Sequence, residues 1–288
     1  MEQVKCFMPE SLEEALRIRK ETGAIPMGGG SDLMVANSRG AGITPAFRTA
    51  VMLLAGVKEL RGIRENEDGS VSIGAMTTSA QIAASEAVHP LLRDAASRMG
   101  AIALRNSATI GGNIGNASPK GDMPQPLILL DAEVVLQSVD GQRKMKVDDF
   151  IIATKKTAIR PDELITEVVI PRQEFTHIFF HKVGMRRANA ISKLTLSAAA
   201  TVKDGVVADF RASSGAAGPK VARSRAAEQL LIGKTLEQLP EAKGAFLDAW
   251  NDVISPHAMP EYRRNTTRRM LEYFIDQLAA GHPAGRIE

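Results

Sequence analysis

The sequence predicts an α+β chain in which strands and helices alternate to about residue 171 and a second unit follows. Three observations carry that reading. Apolar β-type runs such as "AVMLLA" (Ala50 to Ala55) and "AEVVLQS" (Ala132 to Ser138) are interleaved with capped helical stretches. After Pro171, two β-rich runs come in close succession, joined by Asp204-Gly205. The chain then reads as helical to "RRMLEYFIDQLAAG" near its end. With 288 residues it is long enough for two domains, and the change of pattern puts a boundary near residues 172–176.

Ser11 followed by Glu14 is a capping box, Leu12, Ala15 and Leu16 form an inward face, and Gly23 suits the C-cap. A short strand, "AIPM", then enters three glycines. "AVMLLA" reads as a buried strand and "GSVSIGAM" (Gly69 to Met76) as a half-exposed one. Helices are expected from about Thr78 to Val88 and from Pro90 to Met99, followed by a second glycine loop. A short helix opens at Pro124, Asp140-Gly141 marks a hairpin, and "DELITEVVIP" closes this part with a strand. His177 to Val183, Ser192 to Val202 and Val206 to Ser213 are the strands of the second part.

The composition excludes several function classes. A hydrophobic fraction of 44% and a charged fraction of 24% are ordinary for a globular protein. The formal net charge of +3 gives no reason to expect nucleic acid. The basic clusters Arg186-Arg187 and "YRRNTTRR" (Tyr262 to Arg269) read as basic faces on solvated elements. No apolar run reaches the roughly 18 residues of a membrane span. The N-terminal "MEQVKCFMPESLEEA" has neither a basic segment nor an apolar core, so no cleaved signal is expected. Cys6 is the single cysteine, too few for a disulfide, a structural zinc site or an iron–sulfur cluster. A cytoplasmic protein with no metal centre of its own is expected. His177 and His181 have a helical zinc spacing, but "HIFFHKV" reads as a strand, which separates them by about 13 Å.

The two glycine-dense segments carry the chemistry. In "MGGGSDL" (Met27 to Leu33), the amides of Gly28, Gly29 and Gly30 can turn one way while Ser31 adds a donor. In "TIGGNIGN", Thr109, Gly111, Gly112 and Asn113 offer a similar set. Converging amides and small hydroxyls suit a diphosphate, and glycine lets the backbone approach it. Two such loops could close on one pyrophosphate from opposite sides. Either loop alone reads more readily as a turn than as a phosphate cradle, and neither spells a P-loop or a Rossmann fingerprint. It is their joint occurrence that raises the cradle reading.

"GGGSDLM" followed by "LRNSATIGGNIGNASPKGDMPQPLILLDAEV" resembles the FAD-binding subunit of the molybdenum hydroxylases, which include xanthine dehydrogenase and aerobic carbon monoxide dehydrogenase. The likeness extends through "DELITEVVIP", "HKVGMRRANAIS" and the helical tail. It implies an FAD-binding domain of the vanillyl-oxidase (PCMH) type at 1–173, with lobes of about 1–56 and 57–173. A smaller α+β domain at 174–288, with a small antiparallel sheet and helices, would follow.

The resemblance places Met27, Gly28, Gly29, Gly30, Ser31, Asp32 and Leu33, with Thr109, Ile110, Gly111, Gly112 and Asn113, around the pyrophosphate and ribityl chain of a non-covalent FAD. Gly100 would sit where the chain passes the cofactor closely. Asp122 would bond cofactor hydroxyls, although it equally suits the N-cap of the Pro124 helix. Leu164 would line the flavin side of its strand, where core packing explains it as well. Lys182 would set a cation near the flavin ring, unless it is a solvated strand lysine. Many relatives carry an acidic or tyrosyl residue where this chain has Ala188-Asn189-Ala190.

The resemblance further implies a heterotrimer with no catalytic residue in this chain. Substrate is hydroxylated at a molybdenum–pterin centre in a large partner, and electrons cross two [2Fe–2S] clusters in a small one. They then pass through FAD to NAD⁺, a quinone or oxygen. The single cysteine fits clusters held elsewhere, and argues against the benzoyl-CoA reductase branch, whose flavin subunit carries an extra cluster. Two other readings stand beside this one: a self-contained flavin reductase of the enolpyruvyl-muramate type, and a non-enzymatic scaffold braced by a nucleotide.

Overall fold

The computed structural model describes residues 4–186 and 188–287, so Arg187 of the basic pair lies outside the described residues. The chain opens with β1 (Cys6–Phe7), α1 (Leu12–Thr22), β2 (Ile25–Met27), α2 (Leu33–Ala36) and β3 (Val51–Leu53). The strands form a parallel sheet in the order β1-β3-β2. Helix α1 starts where expected, with Ser11 Oγ accepting the Glu14 N–H at 3.2 Å. It stops at Gly23, whose φ of 64° is the left-handed conformation glycine adopts cheaply. Ala15 and Leu16 are buried with Met52, Leu54 and Leu60 in a small core of their own.

The next stretch holds β4 (Ile63–Glu65), β5 (Val71–Gly74), α3 (Ser79–Ala84), α4 (Pro90–Ser97), α5 (Ile102–Ser107), α6 (Ile110–Gly115) and α7 (Pro124–Leu129). It continues with β6 (Glu133–Ser138), β7 (Gly141–Lys146), α8 (Val147–Phe150), β8 (Ile151–Ala153), β9 (Lys156–Thr157) and β10 (Leu164–Ile170). A five-stranded antiparallel sheet, β4-β5-β10-β6-β7, carries helices on the second and largest core. Two expectations change here. Strand β5 lies between β4 and β10, so Ser72, Ile73 and Gly74 are all buried and the strand is not half-exposed. The buried Ser72 hydroxyl accepts from Asn66 Nδ2 at 3.0 Å. The second glycine segment is helical, α5 and α6, and not a loop.

The last part is β11 (His177–Val183), β12 (Leu194–Lys203), β13 (Val206–Gly215), α9 (Arg225–Glu228), α10 (Leu239–Val253), α11 (Pro260–Ala279) and β14 (Gly285–Arg286). Its sheet runs β13-β12-β11-β14, with α10 and α11 closing a third core around Phe210, Phe246, Trp250 and Phe274. His177 and His181 do lie on one strand. The cluster at Tyr262 to Arg269 is not uniformly solvated: Arg263 is buried and donates to the Ala216 carbonyl. Arg268 pairs with Asp248 at 2.7 Å. No helix among the described residues is long and apolar enough to cross a membrane.

Polar contacts, some buried and some at the surface, tie this part to α7 and the turn that follows it. Asp131 receives Arg211, Arg223 and Arg225 at 2.7–2.8 Å, and Gln125 Nε2 donates to the Ser213 carbonyl at 2.7 Å.

Candidate functional site

Strand β2 delivers the chain into Gly28-Gly29-Gly30-Ser31-Asp32, which turns into α2. Among the described residues, the amides from Gly28 to Asp32 donate to no protein acceptor. Buried or half-buried amides are almost always paired, so an unpaired row on a concave wall marks a place for an anion. The turn is pressed onto the second glycine segment. A Cβ on Gly29 would lie 1.7 Å from the Ser107 carbonyl oxygen, and one on Gly28 2.6 Å from Thr109 Oγ1. Side chains at these positions would push the two elements apart.

The second segment is built differently. Thr109 is the N-cap of α6, its Oγ1 accepting the Gly112 N–H at 3.2 Å. The Ile110 amide donates to Thr77 O, Gly111 to Ala75 O and Asn113 to Thr109 O, all at 2.9–3.0 Å. All four amides from Ile110 to Asn113 are therefore spent within the protein. The expectation that they converge on a diphosphate is corrected: this wall presents the Thr109 hydroxyl, the bare Cα surfaces of Gly111 and Gly112, and the Asn113 side chain. Asn113 Oδ1 is shut from solvent and has no hydrogen-bond partner.

Between the two segments lies a cavity of about 350 Å³. Met27, Gly28, Gly29, Gly30, Ser31, Asp32, Leu33, Thr109, Gly111, Gly112, Asn113 and Leu164 all line it. Four expected site residues do not. Ile110 is wholly buried in the second core. Gly100, at φ 47°, lies beside Leu104, and its carbonyl accepts from Arg105 at 3.0 Å.

The other two meet each other. Lys182 Nζ lies 2.6 Å from Asp122 Oδ2 and 3.0 Å from the Arg98 carbonyl, and both side chains are buried. Ser192 Oγ donates to the other Asp122 oxygen at 2.6 Å. Burial pushes the Asp122 carboxyl above its usual range, against the pull of Lys182 and the bond from Ser192. The N-cap reading of Asp122 is corrected, because α7 is entered from Met123 with no side-chain cap. The carboxylate instead holds both ends of the excursion between β11 and β12. Asn113 joins this cluster to the cavity: its Nδ2 lies 3.7 Å from Met99 Sδ, and its Oδ1 faces Gly121.

Sequence reasoning missed Arg19, Pro26, Asn116, Ile159 and Ile165 on the cavity wall, and Ser192 on Asp122. Arg19 had a visible but ordinary signal, a cation in the last turn of a helix. The others carry no local pattern.

Comparison with known proteins shows the family of the chain. The family described as FAD binding domain in molybdopterin dehydrogenase matches residues 2–173, and the CO dehydrogenase flavoprotein C-terminal domain matches residues 179–278. The nicotinate dehydrogenase FAD-subunit of Eubacterium barkeri is 30% identical, over 98% of this chain and 99% of that protein. The xanthine dehydrogenase FAD-binding subunit of Escherichia coli O157:H7 is 31% identical over 77% of this chain and 78% of its own length. The structure of carbon monoxide dehydrogenase from Hydrogenophaga pseudoflava superposes with a TM-score of 0.87 at 25% identity, covering 98% of this chain and 99% of that one. A match that runs the length of both folded parts favours neither the self-contained reductase nor the nucleotide-braced scaffold. The chain belongs to the FAD-binding subunits of the molybdenum hydroxylases, an oxidoreductase family that includes xanthine dehydrogenase and carbon monoxide dehydrogenase.

Proposed function

We propose that this chain carries electrons between partner iron–sulfur clusters and an external acceptor by way of a non-covalent FAD. One observation bears most of the weight: the row of amides from Gly28 to Asp32, for which the described residues supply no acceptor, set on the wall of a cavity opposite Thr109. The residues fit the cofactor. Free amides and the Ser31 and Thr109 hydroxyls suit a diphosphate, and close glycine packing keeps side chains out of its approach. At about 350 Å³ the cavity takes part of a dinucleotide.

Met27 to Leu33, Thr109, Gly111 to Asn113 and Leu164 would hold that part. Gly100, Asp122 and Lys182, reached past Asn113, would meet the remainder. Ile110 would act only by packing α6 onto the core. When bound, FAD supplies redox chemistry that accepts electrons one at a time or in pairs. The protein's own groups bind and orient: amides fix the diphosphate, while Met27, Leu54 and Leu164 exclude water. The paired Lys182 and Asp122 keep the local charge near balance. The proposed boundaries are 1–173 for the FAD-binding part, in lobes of about 1–56 and 57–173, and 174–288 for the C-terminal part. Each part has a core built mainly from its own residues, although Leu60, Met76 and Leu164 pack into the first and Phe180, Ala199 and Val221 into the second.

The single, exposed Cys6 supports a chain whose clusters belong to a partner. The proposed complex is a cytoplasmic heterotrimer with a small [2Fe–2S] subunit and a large molybdenum–pterin subunit, delivering electrons to NAD⁺, a quinone or oxygen. Purification of the chain is expected to yield a yellow protein with one releasable FAD and neither iron nor molybdenum. A colourless protein that refuses added FAD overturns the reading. In the reassembled complex, bound flavin that stays oxidised after substrate is added would leave this chain no part in electron transfer.

A further inference from the structure

Arg19 lines the cavity, although it belongs to the last turn of α1 and precedes the glycine turn by nine residues. Its Nη1 donates to the Gly23 and Ala24 carbonyls at 3.0 and 2.8 Å, which fixes the guanidinium against the entrance to β2. Among the described residues its Nε, shut from solvent, has no partner, and its Nη2 has no acceptor. Among the described residues no carboxylate forms an ion pair with it, though Asp162 attracts it from farther away. A buried donor left without an acceptor is costly, so the shielded Nε marks a hydrogen-bonding position that the described residues do not fill. Among the described residues Arg19 and Asp32 are the only charged ones on the wall, and Asp32 sits at the glycine-turn end.

Arg19 is placed too far from the glycine turn to share its phosphate. Strand β2 separates the Ala24 carbonyl from the Gly28 amide by about 10 Å at the usual rise per residue. The guanidinium therefore faces what lies roughly one nucleoside away. Ile25 and Pro26 of β2 form that end of the wall, with Ile159 and Ile165, from the same stretch as the Asp162 that attracts Arg19. A planar cation beside an apolar slot suits a purine, whose face it can stack on and whose ring nitrogens accept from it.

We propose that Arg19 recognises the adenosine half of the cofactor and makes this site select FAD over FMN. The inference rests on the flavin reading above and adds a specificity-determining residue to it. The experiment compares binding of FAD, FMN and ADP to the flavin-free chain, by flavin fluorescence and calorimetry, for the parent, Arg19→Met and Arg19→Lys. Arg19→Met is expected to weaken FAD and ADP at least tenfold while FMN stays within twofold. Arg19→Lys, which keeps the charge and a donor for the Gly23 and Ala24 carbonyls but loses the planar face, should fall between. It also serves if Arg19→Met does not fold. Equal weakening of FAD and FMN would make Arg19 a brace for the glycine turn and overturn the proposal, as would no change in any of the three. A parent chain that binds neither flavin removes the flavin reading itself, an outcome distinct from lost selectivity.

Discussion

The turn at Gly28 to Asp32 and the helix at Ile110 to Gly115 have much the same composition and face each other across one cavity, yet they use glycine for opposite ends. In the turn, the missing side chains let the backbone run against Ser107 and Thr109 while its amides stay free. In the helix the amides are all committed, and the missing side chains let α6 lie on Ala75, where a Cβ on Gly111 would come within 2.7 Å of another carbon. One element offers hydrogen bonds, and the other offers proximity. A diphosphate gripped symmetrically by two loops, the arrangement the composition alone suggests, is replaced by one donor wall and one close-fitting wall.

The comparison breaks most visibly at Gly29. A methyl group there meets the Ser107 carbonyl oxygen at 1.7 Å, a backbone atom that cannot swing aside. The turn must move, and its amides with it. Gly29→Ala should therefore weaken FAD binding about 100-fold, near 2.7 kcal/mol. The flavin-free chain should also lose some stability, because the shift is taken up where the turn packs on the backbone at Ser107 and Ala108. Titration of the flavin-free variant checks both halves. Undiminished affinity would mean that the free amides are not what holds the cofactor.

Gly111→Ala should reverse the pattern. The added methyl presses on the buried Ala75 Cβ and carbonyl at 2.7 and 2.8 Å, where α6 packs on the chain after β5. Overpacking of that kind costs about 1–3 kcal/mol. Flavin affinity of the folded fraction should stay within about threefold of the parent, since no amide that could reach a ligand is displaced. Denaturant unfolding of the flavin-free chain measures the first quantity and a binding isotherm the second. Lost flavin with intact stability would show that α6 is a donor wall after all.

What could be read from the sequence follows from how local each cause is. Ser11, Glu14 and Gly23 define α1 through contacts within a few residues, so that helix and the strand into the glycine turn were legible. The same holds for the hairpins at Asp140-Gly141 and Asp204-Gly205. Helix α6 was not, because glycine disfavours helix and what fixes α6 is distant: the Thr77 and Ala75 carbonyls. Strand β5 looked half-exposed because its second neighbour, β10, arrives about ninety residues later. Asp122 looked like a local cap, yet its partners Lys182 and Ser192 stand 60 and 70 residues away. At the site, the residues that line the cavity by backbone were found from glycine spacing. Arg19 was hidden because on α1 it resembles any helix-ending cation.

The smallest expected effect falls on Thr109, the residue that belongs to both walls. Its Oγ1 caps Gly112 at 3.2 Å, lies against Gly28, and lines the cavity. Among the described residues its own hydroxyl proton goes to no protein acceptor, which leaves it available to a ligand oxygen. Thr109→Val keeps the shape and removes both functions. Loss of the cap should cost about 1 kcal/mol, a fall of about 2–4 °C in melting temperature for a chain of this size. Loss of one ligand hydrogen bond should weaken FAD about fivefold to tenfold, in line with a net contribution near 1 kcal/mol. Thr109→Ser keeps both groups and should restore both quantities. If Thr109→Val loses stability alone, the second wall makes no hydrogen bond to the cofactor through this residue, and the division between a donor wall and a close-fitting wall becomes complete.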